Sequence, residues 1–174
     1  GELESGIATV VITVTPVNDN PVALDDAYQT PEDTMLEIVA PGVLANDSDI
    51  DGDPLSAVLV SQVGHGTLSL SGDGSFIYTP EADYIGIDSF TYKASDGELE
   101  SGIATVVITV TPVNDNPVAV DDAYQTPEDT TLEIAAPGVL ANDSDIDGDP
   151  LSTVLVSQVG HGTLSLSGDG SFIY

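Results

Sequence analysis

Gly6-Ile7-Ala8-Thr9-Val10-Val11-Ile12-Thr13-Val14-Thr15 is the stretch that decides the fold. Ala8, Val10, Ile12 and Val14 alternate with Thr9, Val11, Thr13 and Thr15, the period of two expected of a strand that buries one face. The same ten letters return at residues 102–111, and around them the whole of residues 1–78 recurs as residues 97–174. Only four positions differ: Leu24 becomes Val120, Met35 becomes Thr131, Val39 becomes Ala135 and Ala57 becomes Thr153. A step from Gly1 to Gly97 is long enough for each copy to be a self-sufficient domain, so the array reads as beads on a string and not as a solenoid. About one and four-fifths copies are present, as in an excerpt from a longer polypeptide.

Working outward, Phe90, Tyr92 and Ala94 alternate with Ser89, Thr91, Lys93 and Ser95 in a second strand. Leu68 and Leu70 face Phe76 and Tyr78 across Ser71-Gly72-Asp73-Gly74, a hairpin pattern. Further strands are expected at residues 27–30, 35–39 and 55–63, each bounded by Pro, Gly or Asp. No run has helical character. About seven short strands per repeat imply an all-β fold of tandem immunoglobulin-like antiparallel β-sandwiches, although the Cys and Trp of an antibody core are both missing. Proline at each end of Pro16-Val17-Asn18-Asp19-Asn20-Pro21 and of its copy forbids continuation of a ladder and marks linkers. The expected organisation is therefore the last strand of a preceding repeat at 1–15 and a linker at 16–20. A complete repeat follows at 21–112, then a linker at 113–116 and a C-terminally incomplete repeat at 117–174.

Lys93 is the only lysine or arginine against thirty Asp and Glu, which gives a formal net charge of −29. Such a field disfavours nucleic acid and anionic membrane surfaces, and it strains a compact fold unless cations or salt screen it. Disorder is the rival expectation from high charge, but 41% hydrophobic content in patterned runs argues for packed cores. With no cysteine there is no disulfide, thiolate metal site or cysteine nucleophile.

Asp47-Ser48-Asp49-Ile50-Asp51-Gly52-Asp53, repeated as Asp143, Asp145, Asp147 and Asp149 around Gly148, sets carboxylates at alternate positions before a glycine. Calcium takes six to eight oxygens at about 2.3–2.6 Å, and such a loop offers several within one tight turn. An EF-hand is excluded, because Val58 stands at the twelfth position where a Glu is required. The plainer alternative is a solvated acidic turn, which adjacent unneutralised carboxylates tolerate poorly. More acidic groups occur at Asp25-Asp26 and Pro31-Glu32-Asp33.

These segments resemble those of cadherins and, over the full length, the bacterial cadherin-like tandem repeats of very large surface adhesins, including RTX and VCBS types. The resemblance is carried by Pro112-Val113-Asn114-Asp115-Asn116-Pro117, by Asp25-Asp26-Ala27-Tyr28-Gln29-Thr30-Pro31-Glu32-Asp33, by residues 42–55 and by residues 88–97. It implies calcium ligation by Glu32 and Glu81 of one repeat, by Asn114, Asp115 and Asn116 of the linker, and by Asp145 and Asp147 of the next. Asn18, Asp19 and Asn20 with Asp49 and Asp51 are the corresponding upper set. The Asp usual at the start of a cadherin linker is replaced by Pro16 and Pro112, which removes one carboxylate that Asp25, Asp26, Asp121 or Asp122 could supply. Whether the Asp loop serves such a set or closes on its own ion is open from spacing alone.

His65 and His161, each between glycines, have no Ser and Asp pattern around them and read as hairpin-edge residues. An isopeptide staple through Lys93 is disfavoured by an alternation that puts Lys93 on the outer face. Near-identical copies suit the multiplication of a mechanical or binding task better than catalysis. The expected function is that of non-catalytic extender repeats in an extracellular, cell-surface or matrix protein stiffened by calcium. Expected partners are adjacent repeats, like chains in a filament, or extracellular polysaccharide, with no nucleic acid and no membrane insertion. The alternatives are a carbohydrate-binding or homophilic adhesion module, for which Tyr84 is the best exposed aromatic, and an acidic surface adapted to high salt.

Overall fold

The computed structural model describes residues 1–174, which form two compact units, Gly1–Thr111 and Pro112–Tyr174. In the first, the alternating runs become seven strands: β1 (Asp26–Pro31), β2 (Leu36–Ile38), β3 (Ser56–Ser61), β4 (Gly66–Leu70), β5 (Phe76–Pro80), β6 (Gly86–Ser95) and β7 (Ala104–Thr111). They build a four-stranded sheet in the order β1-β7-β6-β3 and a three-stranded sheet in the order β2-β5-β4. All pairs are antiparallel except β1 with β7, which runs parallel from Asp26 opposite Val106 to Pro31 opposite Thr111.

The inward letters of the period-two pattern are the core. Ala104, Val106, Ile108 and Val110 of β7 lie beside Phe90 and Tyr92 of β6 and against Phe76 and Tyr78 of β5, all essentially removed from solvent. Rings lock the two sheets together: Phe76 meets Phe90 at 5.4 Å and Tyr28 at 5.1 Å, both edge to face, the geometry that ring quadrupoles favour. The hairpin forms in the expected register, with Leu68 opposite Tyr78 and Leu70 opposite Phe76. Its turn is held by Asp73, whose Oδ1 accepts from Ser75 N and Oγ at 3.1 and 2.6 Å. Gly74 there has φ +84° and closely approaches the Pro41 carbonyl, leaving no room for a Cβ.

Residues 6–15, expected as the last strand of a preceding repeat, have no such repeat among residues 1–174 to pair with. The expected strand is not formed, and its alternating apolar residues stand in solvent, with Ile12 82% and Val14 88% exposed. A strand needs a partner edge for its N–H and C=O groups. Within Gly1–Thr111 the place these letters would take is filled by β7, which already pairs on both sides.

The second unit holds a smaller sheet of β8 (Glu133–Ile134), β9 (Ser165–Leu166) and β10 (Phe172–Ile173), ordered β8-β10-β9, and a 3-10 turn at Gly138–Leu140. It corresponds to residues 16–78 of the repeat. Residues 122–127 carry the letters of β1, and 152–157 those of β3 apart from Thr153, yet neither forms a strand. In the first unit β1 pairs only with β7 and β3 only with β6, and residues 112–174 contain no counterpart of either. The hairpin sheet, whose pairing is internal to that stretch, survives in shortened form. No helix is long and apolar enough to cross a membrane.

Candidate metal centre

The Asp loop of the first unit is organised by Asp49. Its Oδ1 accepts from Asp51 N at 2.8 Å, Gly52 N at 3.1 Å and Asp53 N at 3.4 Å. Gly52 makes this wrap possible at φ +82°, a conformation costly for any residue with a Cβ. With Oδ1 spent on the turn, Oδ2 of Asp49 is shielded from solvent and has no hydrogen-bond partner. A buried carboxylate oxygen left so costs free energy unless a proton or cation meets it.

Of the three linker residues Asn18, Asp19 and Asn20, Asp19 bonds to this loop and the two asparagines bond elsewhere. Asp51 Oδ2 accepts from Asp19 N at 2.8 Å, and backbone bonds between Val22 and Ser48, 2.8 and 3.0 Å, staple the two segments. Asn18 Nδ2 donates to Asp96 Oδ2 at 2.9 Å, and Asn20 Nδ2 to the Glu100 carbonyl at 2.7 Å. Asp96 is held below the usual carboxylate range by the amides of Leu99 and Glu98 and by Asn18. Sequence reasoning did not single out Asp96; the Ser95-Asp96-Gly97 turn signal after β6 was the available clue. A cleft of about 640 Å³ lined by Leu44, Asp47, Asp49, Gly52 and Asp53 lies beside the loop.

Asp47 is placed differently from its neighbours. Its Oδ1 accepts from Leu24 N at 2.9 Å, and its Oδ2 lies 3.0 Å from the Tyr92 hydroxyl, which donates to the Val43 carbonyl at 2.6 Å. Asp26 Oδ2 comes within 3.3 Å of the same hydroxyl. Burial pushes Asp26 up to about 6 despite the Tyr92 contact, with Asp47 and Asp25 adding repulsion. Burial also raises Asp47, against the pull of Leu24 N and Tyr92, and it raises Tyr92 beside the two carboxylates. Asp47 thus ties the loop to the core instead of facing outward with Asp51 and Asp53.

The second unit repeats part of the arrangement, with one amide in place of three on the carboxylate of the residue that matches Asp49. Asp147 Oδ2 accepts from Asp115 N at 2.7 Å, Asp145 Oδ1 from Asp149 N at 3.2 Å, and Asp143 Oδ1 from Val120 N at 2.8 Å. Asn114 Nδ2 turns to the Asp115 carbonyl at 3.1 Å, and Asn116 is exposed. Asn114, Asp115, Asp143, Asp145 and Asp149 line a cleft of about 300 Å³.

Glu32 and Glu81 are not gathered with the Asp loop of their own unit. Glu32 follows β1, is buried, and donates its N–H to the Thr111 carbonyl at 2.9 Å. Glu81 follows β5 and has a carboxylate 3.6 Å from His65 Nδ1. Asp33 and Asp83, both at positive φ, lie near them and are joined by a 3.2 Å bond from Asp83 N to Asp33 Oδ1. The acidic groups of the first unit therefore divide between its two ends, separated by the length of β1, about 20 Å.

His65 and Tyr84 stack at 4.2 Å with 12° between the rings, and Tyr84 donates to the Ile87 carbonyl at 2.9 Å. Tyr84, expected to be exposed, is half-buried with one face spent on the imidazole. Beneath them Asp88, which sequence reasoning missed, accepts from Gly64 N, His65 N, Ser89 N and the Tyr78 hydroxyl at 2.7–3.0 Å. Burial alone would raise its pKa, but those four bonds outweigh burial and hold it low.

The oxygen-only donor set of Asp49, Asp51 and Asp53 with the Asn-Asp-Asn segment, and the orphaned Asp49 Oδ2, fit a hard divalent cation such as calcium. Among solved structures the chain is similar to endo-fucoidan hydrolase MfFcnA4 from glycoside hydrolase family 107. The TM-score is 0.46 at 19% identity, over 92% of this chain and 25% of that one. Endo-fucoidan hydrolase MfFcnA9 gives a TM-score of 0.35 at 23% identity, over 56% and 17%. This chain thus spans about a quarter or less of their length. No curated protein matches it. The family model of the bacterial cadherin-like domain matches residues 18–112 and again residues 114–174. With nearly all of its length accounted for by two such matches, the chain belongs to the bacterial cadherin-like domain family.

Proposed function

We propose that these repeats are non-catalytic extender modules of an extracellular surface adhesin or matrix fibre, stiffened by calcium held at their acidic loops. The observation that carries the reading is Asp49 Oδ2, an unpartnered carboxylate oxygen buried in a loop whose every other ligand-type atom is also oxygen. Asp49 and Asp51, with the segment of Asn18, Asp19 and Asn20, would hold the ion, and Asp145 and Asp147 with Asn114, Asp115 and Asn116 would do so in the second repeat. The ion would supply charge neutralisation: it offsets the mutual repulsion of carboxylates in a chain of net charge −29 and ties loop to linker. Extracellular modules of this type bind with dissociation constants of about 10⁻⁴ to 10⁻³ M, so loading follows from calcium-rich surroundings.

A non-catalytic role is supported by how the reactive side chains are used. His65 is occupied by Tyr84 and Glu81, and the Asp26, Asp47 and Tyr92 group packs against the core. Tyr84, with one face covered, is a poor platform for a sugar ring, so the polysaccharide-binding alternative has no specific observation in its favour.

The test is thermal unfolding at fixed ionic strength with EDTA, magnesium or millimolar calcium. A rise in Tm specific to calcium and abolished by Asp49→Asn with Asp145→Asn is expected. Equal stabilisation by sodium chloride would assign the acidic loops to salt adaptation and remove the calcium role.

A further inference from the structure

We propose that the outer face of the sheet β1-β7-β6-β3 is a self-association surface, on which two copies of the chain pack face to face in antiparallel orientation. The proposal rests on the fold of Gly1–Thr111 and is independent of calcium. The chain carries thirty Asp and Glu, yet none points outward from these four strands. Of the acidic residues within them, Asp88 is buried, and Asp26 lies on the inner side with its Oδ2 3.3 Å from the Tyr92 hydroxyl. The outward positions belong instead to such residues as Val58 on β3, Ser89 and Thr91 on β6, and Thr105, Val107 and Thr109 on β7. The outer face of the other sheet, by contrast, carries Glu37 on β2.

A second copy is the occupant this face fits. Between chains of net charge −29, contact is least opposed where carboxylates are missing. Carboxylates begin only past the strand ends: Asp25, before β1, accepts from Thr105 N at 2.8 Å, and Glu100, after β6, holds Lys93 Nζ at 2.8 Å. The register puts both at the end where β1 and β7 start and β6 finishes, while Ile87 and Thr109 face each other toward the opposite end. Antiparallel packing therefore sets each acidic rim over the uncharged end of the partner, whereas parallel packing would set rim on rim. Valine and threonine hold few rotamers, so little side-chain entropy is lost on contact, and the Ser61 and Thr91 hydroxyls already satisfy each other at 2.7 Å. The aromatic residues of these strands all turn inward, so the face offers no ring for a sugar to stack on.

Four strands about 4.8 Å apart and about 25 Å long present about 500 Å². A pair would then bury about 1,000 Å², the low end for a specific interface. The contact of one repeat with another is accordingly weak and reversible. Two copies related by a two-fold axis use the same surface, so the contact is isologous and closes at a dimer. Where several such repeats stand on each partner, weak contacts add through effective concentration.

The test is sedimentation equilibrium in EDTA with about 0.3 M sodium chloride, which screens the loops of one copy from those of another. From about 0.1 to about 2 mM chain, mass should rise from the 17.8 kDa of one chain toward a dimer. Thr109 would lie toward the partner's acidic rim, so Thr109→Asp should weaken association several-fold and Thr109→Lys should strengthen it. Neither should change the far-UV circular dichroism of the dilute chain, since Thr109 is exposed. Because the chain contains no cysteine, Ser89→Cys near the centre of the face can be joined copy to copy by a short thiol crosslinker. It should link at least several-fold more efficiently than Ser69→Cys, exposed on the outer face of the other sheet. A constant single-chain mass would overturn the proposal, as would association left unchanged by both Thr109 variants, or linkage no greater at Ser89 than at Ser69.

Discussion

Residues 8–15 and 104–111 are the same eight letters, and one set is a fully exposed segment while the other is the central strand β7. The same contrast separates residues 122–127 from β1. Alternation of Val, Ile and Thr states which face a strand would bury; it does not make the strand. That takes a neighbouring edge to satisfy the backbone and a second sheet to cover the side chains. In Gly1–Thr111 both conditions hold, and Ala104, Val106, Ile108 and Val110 are buried between β1, β6 and the facing sheet.

The contrast is most directly tested by one substitution made twice. Ile108→Ala should cost about 2–5 kcal/mol, the range for truncating a buried aliphatic residue, whereas Ile12→Ala should stay within about 0.5 kcal/mol in dilute solution. Denaturant unfolding of both variants checks this, and similar losses would show that residues 8–15 are packed after all.

Asp88 sharpens the comparison between the two units, because the hydroxyl of Tyr78 reaches both the His65 carbonyl and Asp88, while that of Tyr174 reaches the His161 carbonyl. Asp88→Ala should cost about 3 kcal/mol by stranding the Gly64, His65 and Ser89 amides. Hydrogen exchange should show the loss around His65 and not around His161. The sign with pH follows from a folded-state pKa below the unfolded value of 3.8. The stability contributed by Asp88 is present above that value and lost as pH falls through the lower folded one. Acid titration of Tm between about pH 5 and 2 should therefore be shallower in Asp88→Asn.

Calcium gives the next effect in size. At 10 mM ion and dissociation constants of about 10⁻⁴ to 10⁻³ M, each loaded site should add about 1.4–2.7 kcal/mol. Asp49→Asn and Asp145→Asn should remove the increment separately for the two repeats, readable by calorimetry, and loss from only one would show that the duplicated loops are not equivalent. The smallest effect concerns the two faces of β6. Lys93, half-exposed and paired with Glu100 at 2.8 Å, should cost less than about 0.5 kcal/mol as Lys93→Ala. Its neighbour Tyr92 is fully buried, so Tyr92→Ala belongs with the large core losses.

Much of the fold was legible because its signals are local. The hairpin of β4 and β5, the inward face of β6 and the outward Lys93 all follow from alternation and from Ser71-Gly72-Asp73-Gly74. The Asp loop and its contact with the linker at Asp19 were legible from residue type and resemblance, whereas the bonds of Asn18 to Asp96 and of Asn20 to the Glu100 carbonyl were not. The inward turn of Asp47 was not, because it depends on Tyr92, 45 residues along the chain. Asp88 and Asp96 escaped for the same reason: each looks like an ordinary strand or turn residue until the amides it collects are brought to it.

By itself the sequence determined that this is a repeated, acidic, all-β chain with a definite inner and outer face for every strand, since side-chain period and turn chemistry are properties of neighbouring residues. Only the tertiary structure decided which alternating segments become strands, which carboxylates turn to the core and which wait at the loop. Those outcomes rest on backbone pairing and burial, contributed by residues distant in sequence, so identical letters at 8–15 and 104–111 come to different ends.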